Sequence, residues 1–152
     1  MLEVGSPAPD FSLVSDSGDI VTLASLRGSR VLLYFYPKDD TPGCTKQARR
    51  IRDAWDDFEA AGVTVLGVSP DSEASHVEFR ETFGLPFTLL SDPDHATADA
   101  YRVWGKRSLY GKTYMGIERS TFVIDAEGKV AKVMRKVKPE THAEDVLAVL
   151  RS

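Results

Sequence analysis

The chain is nearly without cysteine: Cys44 is the only one in 152 residues. A lone thiol excludes an internal disulfide framework, and a reducing, cytoplasmic compartment is the simple expectation. No apolar run approaches the ~20 residues that cross a bilayer. The stretch MLEVGSPAPDF lacks the basic start and apolar core of a secretory signal. Repeats, low-complexity tracts and linkers are absent. Histidine is scarce, and three scattered histidines with one cysteine make no metal site. Neither sign of charge dominates: a net charge of −4 gives no general case for nucleic acid or a membrane as partner.

What is present suits one domain over residues 1–152, long enough to bury a real core. Phe11–Val14 and Ile20–Leu23 flank Asp16-Ser17-Gly18-Asp19 and read as a hairpin. RVLLYFY is an apolar run of strand length, so a buried central strand, and Pro37 ends it. From Gly43 to Ala61 the spacing of Ala48, Ile51, Trp55 and Phe58 predicts one helix with an apolar stripe, stopped by Gly62. VTVLGVS and FTLLSD read as further core strands. Between them lies a helix capped by Asp71 or Ser72 and stopped by Gly84. DHATADAYRVWG reads as a short helix, RSTFVID and KVAKVMRKV as a late hairpin, and THAEDVLAVLRS as a terminal helix. Alternating strands and helices predict an α/β fold, with a mixed sheet and helices on both faces.

Cys44 falls where the first central strand gives way to its helix, the end at which open α/β sheets usually keep their sites. The first turn of a helix has unpaired N–H groups and a positive dipole end, which favour a thiolate. Lys38, Lys46, Arg49, Arg50 and Arg52 add positive charge nearby, and Asp39, Asp40 and Asp53 partly offset it. Thr41 has a hydroxyl within reach of the sulfur or of an oxygen-bearing substrate. Pro37 and Pro42 stiffen the loop, and Gly43 permits close approach. A lone cysteine is ordinarily a small buried hydrophobe. The surrounding DDTPGCTK is polar and turn-rich instead. Cys44 and Arg50 also satisfy the C-x5-R spacing of cysteine-dependent phosphatases. That chemistry needs an anion-wrapping loop after the cysteine. Here TKQAR holds good helix formers and no glycine, so Arg50 is expected to point away.

Taken together these segments resemble a peroxiredoxin of the bacterioferritin-comigratory-protein (Q-type) subfamily, over nearly the whole chain. GSPAPDFSLVSDSGDIVTLASLRG resembles the family's opening. VLLYFYPKDDTPGCT carries its P-x-x-x-T-x-x-C motif as Pro37, Thr41 and Cys44. YRVWGKRSLYGKTYMGIERSTFVID resembles its distal segment and puts Arg119 on the active-site arginine. HAEDVLAVL resembles the closing helix. The resemblance implies a thioredoxin-like fold and thiol-dependent reduction of peroxides through a Cys44 sulfenic acid, without metal, flavin or haem. It implies that Arg119, the Thr41 hydroxyl and the N–H groups of Gly43 and Cys44 hold the peroxide oxygens, while Pro37 covers the pocket. Tyr36 is either a pocket wall or plain core. On its own, an arginine before a strand is ordinarily a surface charge. His76 reads as helix packing rather than a base, and His95 and His142 as capping or exposed.

The sequence departs from many relatives in one respect. The position five residues after Cys44, where a resolving cysteine often stands, is Arg49. The resemblance therefore implies a one-cysteine variant. Its recycling needs an outside thiol: thioredoxin, glutaredoxin, a low-molecular-weight thiol or Cys44 of a second copy. A monomer or weak homodimer is expected. A peroxide sensor, or a thioredoxin-fold binding or chaperone module, would be built on the same scaffold.

Overall fold

The computed structural model describes residues 2–152. A seven-stranded mixed sheet runs in the order β2-β1-β5-β4-β3-β8-β9. The N-terminal hairpin of β1 (Ser12–Ser15) and β2 (Ile20–Thr22) joins it by antiparallel pairing of β1 with β5 (Thr88–Ser91). β3 (Arg30–Phe35) lies inside the sheet, parallel to β4 (Val63–Ser69) and antiparallel to β8 (Ser120–Ile124). β9 (Val130–Met134) closes the far edge. The central strands are buried on both faces, which is why they read as continuous apolar runs.

Side-chain alternation along β3 divides the core. Leu32, Tyr34 and Tyr36 face a cluster that also holds Cys44, Ile51, Phe58, Phe79 and Val146. That face is covered by α1 (Pro42–Asp53), α2 (Trp55–Ala60), α3 (Glu73–Phe83) and α5 (His142–Arg151). Val31, Leu33 and Phe35 face the opposite cluster, where α4 (Ala96–Ala100) packs with Phe11 and Ile117. Helices therefore cover both faces, unequally. On the α1 side, Gly67 of β4 makes room for Tyr34, whose hydroxyl would lie 3.0 Å from a β-carbon there.

Three elements differ from expectation. The helix predicted over Gly43–Ala61 is two helices, broken at Ala54 (φ −103°, ψ 19°). Its apolar stripe continues across the break, since Ala48, Ile51 and Phe58 are all buried, so the pattern gives no sign of the bend. The short helix of DHATADAYRVWG ends at Ala100, and Trp104–Leu109 forms β6. β6 pairs with β7 (Lys112–Ile117) in a separate hairpin turning at Tyr110 and Gly111, both at positive φ. Most of this hairpin is exposed, so no alternation of apolar and polar residues marks it. For α3, Ser72 is the cap, its hydroxyl accepting from Ser75 N, and Gly84 ends the helix in the left-handed region.

Candidate active site

The loop after β3 is fixed from below by a buried polar cluster. Asp39 accepts from the Tyr36 hydroxyl at 2.6 Å and from Ser75 Oγ at 2.8 Å. Its Oδ2 also lies 2.7 Å from His76 Nδ1, and its own N–H donates to Asp71. His76 is fully buried and bonds the Leu90 carbonyl through Nε2. It packs α3 on the sheet, as its spacing predicts, with a carboxylate as partner. Burial, with Tyr34 and Asp39 nearby, pushes the Tyr36 phenol well up, so it stays a donor. Tyr36 thus lies in the core beneath the loop, while Pro37 is exposed above it.

This anchored loop delivers Cys44 into the first turn of α1, with Pro42 as the first helical residue and Thr41 as the cap. The sulfur is buried, at 2% exposure, among the α1-side core residues. The Thr41 hydroxyl donates to the Lys38 carbonyl at 2.9 Å rather than to the sulfur. Arg119, between β7 and β8, brings Nη1 to 3.4 Å from Cys44 Sγ. The approach is close: a β-carbon on Gly43 would lie 3.2 Å from Arg119 Nη2. Arg50, by contrast, is exposed and lines an outer groove of about 790 Å³ between α1 and α5 with Arg49 and Lys46. Arg52 is held by Asp53 and the Phe83 carbonyl. The cation that reaches the sulfur is therefore not one of the basic residues beside Cys44 in sequence but one 75 positions away.

The same Arg119 Nη1 donates to Gln47 Oε1 at 2.5 Å. Gln47 Nε2 lies 3.1 Å from His142 Nδ1, and His142 Nε2 lies 2.7 Å from Thr121 Oγ1. This corrects the reading of His142 as capping or exposed: it is fully buried at the start of α5, against Tyr34. Burial and the Arg119 charge lower its pKa to about 4. His95 does sit at a helix start and stacks on Trp104 with ring centroids 3.9 Å apart, but Asp92 accepts from the Thr97 and Ala98 amides of α4. Trp104 and Met115 lie on the separate β6–β7 hairpin, where Met115 is exposed.

A buried lone thiol in a helix's first turn, with a guanidinium on the sulfur, is a site for attack on an electrophile whose leaving group gains negative charge. Residues 4–133 match the AhpC/TSA family. The chain is 49% identical to a putative peroxiredoxin bcp of Coxiella burnetii, covering 98% of this chain and 99% of that one. It is 47% identical to peroxiredoxin Bcp of Bacillus subtilis, covering 99% and 96%.

The chain belongs to the peroxiredoxins.

Solved structures agree in fold. Xanthomonas campestris bacterioferritin comigratory protein, described for its alkyl peroxide reduction activity, superposes with a TM-score of 0.90 at 41% identity, over 99% of this chain and 96% of that one. A cysteine-to-serine mutant of Xylella fastidiosa PrxQ superposes at 0.92 with 34% identity, over the same shares. The thioredoxin-like architecture, the Q-type subfamily and thiol-dependent peroxidase activity are thereby established. This peroxiredoxin carries one cysteine, so its thiol chemistry rests on Cys44. Gln47 and His142 carried no signal of this role in the sequence, because their partners lie on other elements.

Proposed function

We propose that this peroxiredoxin reduces hydrogen peroxide and organic hydroperoxides in a one-cysteine cycle completed by an external thiol. The observation that carries it is Arg119 Nη1 on the sulfur of the only cysteine. The Cys44 thiolate attacks one peroxide oxygen and the O–O bond breaks. The sulfur becomes a sulfenic acid, and the departing oxygen leaves as water or alcohol after taking a proton. Arg119 stabilises the thiolate and the charge developing on oxygen. The Gly43 and Cys44 N–H groups, in a first turn without intrahelical acceptors, supply further donors. A hydroxyl that donates to a carbonyl keeps its acceptor lone pairs, so Thr41 receives the peroxide O–H. Pro37 covers the entrance, and Tyr36 supports the loop from below.

An external thiol then condenses with the sulfenic acid, releasing water. A second thiol displaces Cys44 from the mixed disulfide and leaves as the oxidised pair. Thioredoxin, glutaredoxin and low-molecular-weight thiols all supply this chemistry, in the reducing cytoplasm that suits a lone thiol. Cys44 is buried in the first turn of α1, so that turn must open to admit a thiol. A monomer or weak homodimer fits this cycle, since no step needs a second Cys44.

The test is intact mass after one equivalent of hydrogen peroxide, with and without dimedone, on the native protein and on Cys44→Ser. A rapid dimedone adduct on the native protein alone is expected. A Cys44 that stays a thiol for minutes at micromolar peroxide would overturn the proposal. A panel of thiols added to the oxidised protein then identifies the reductant as the one that restores the thiol mass fastest.

A further inference from the structure

Gln47, His142 and Thr121 are fully buried, and their side chains bond to one another and to Arg119, which in turn reaches the sulfur. Their polar groups leave little choice of direction. Arginine has only donors, so the Gln47 amide must turn its oxygen toward Arg119. That turns Nε2–H toward His142 Nδ1. Nδ1 accepts only if it carries no proton, so the imidazole is neutral with its proton on Nε2. Nε2–H in turn donates to Thr121 Oγ1. Each link fixes the next, from Thr121 through His142 and Gln47 to the guanidinium.

We infer that His142, anchored by Thr121, is a positioning residue for peroxide reduction: it sets the direction of the Gln47 amide and so holds Arg119 on Cys44. A protonated imidazole would set Nδ1–H against the amide N–H and press the amide to turn over, bringing its NH2 to the guanidinium, two donors face to face. Without the imidazole, the buried Gln47 N–H would lack its acceptor and the amide would be held from the Arg119 side alone. The charged and titratable groups around the ring are Arg119, Asp145 of its own helix, and the Tyr34 phenol from β3. Burial and Arg119 outweigh Asp145 and keep the ring neutral. The inference rests on Cys44 being the peroxide-reducing thiol.

Two measurements test it. In ¹⁵N-labelled reduced protein at neutral pH, His142 is expected to show a protonated Nε2 and a bare Nδ1. A proton on Nδ1 would overturn the relay, whether or not the protein reduces peroxide. The second is the single-turnover rate constant of Cys44 with hydrogen peroxide, with thermal melts on every variant. His142→Leu should slow the reaction about 10-fold or more, since small misplacements of a catalytic group are costly. His142→Gln has an oxygen that can accept from Gln47 without titrating, and should recover most of the rate. Thr121→Val should show a smaller loss. A folded His142→Leu reacting at the native rate would sink the idea, as would a folded His142→Gln as slow as the leucine variant. If His142→Leu does not fold, the glutamine and Thr121→Val variants decide: rates near native for the first and reduced for the second are expected, and the reverse order overturns it. A native protein inert to peroxide would instead remove the peroxidase reading on which the inference stands.

Discussion

Replacing Arg119 by methionine keeps most of the length of the side chain and removes every donor. The sulfur then loses the cation 3.4 Å away, and the rate with peroxide should fall by about 100-fold or more, read by single-turnover quench. Gly43→Ala tests the same contact from the other side. The new methyl would lie 3.2 Å from Arg119 Nη2, so the guanidinium must yield by a few tenths of an ångström. A slower peroxide reaction with little change in melting temperature is expected; an unchanged rate would show that Arg119 has slack. At this scale the sequence is uneven as a guide. Pro37, Thr41 and Cys44 stand within one short motif and are legible together. Gln47 and His142 are 95 positions apart, and what each does depends on an atom of the other. His142 next to a predicted helix start reads as a cap, and only tertiary packing buries it.

Among the elements, α3 carries the most separable test. Ser72 closes its first turn by accepting from Ser75 N at 3.2 Å. Ser72→Ala should cost about 1 kcal/mol in urea unfolding and leave the rate of Cys44 with peroxide unchanged. A rate that fell with it would mean that the helix end and the Asp39 cluster beneath the loop are coupled. α3 and α5 were legible because one buried face imposes a period, and β3 and β4 because burial on both faces makes a continuous apolar run. The β6–β7 hairpin escaped because it is largely exposed and packs chiefly through its root, near Ile117. The break at Ala54 escaped because an apolar stripe that continues through a bend looks the same as one that does not.

The molecule as a whole should lose stability in acid through His142. Its folded pKa, about 4, lies below the usual 6.5 of the unfolded chain, so the unfolded state binds the proton first. The contribution is complete above about pH 6.5 and is lost as pH falls through about 4. A shift of this size corresponds to about 3 kcal/mol. Urea midpoints measured across that window should decline for the native protein and decline less for His142→Gln; parallel curves would place the acid sensitivity elsewhere. The lone thiol sets a different limit, one of capacity. With one redox-active sulfur and no second to pass the oxidation to, each molecule keeps its oxidation on Cys44, as a sulfenic acid open to further peroxide, until a visitor removes it. The fraction of chains found oxidised at steady state is then a ratio of two rates, peroxide arriving and thiol arriving. That makes the protein a ledger of the balance between them, readable chain by chain as a mass difference of one oxygen.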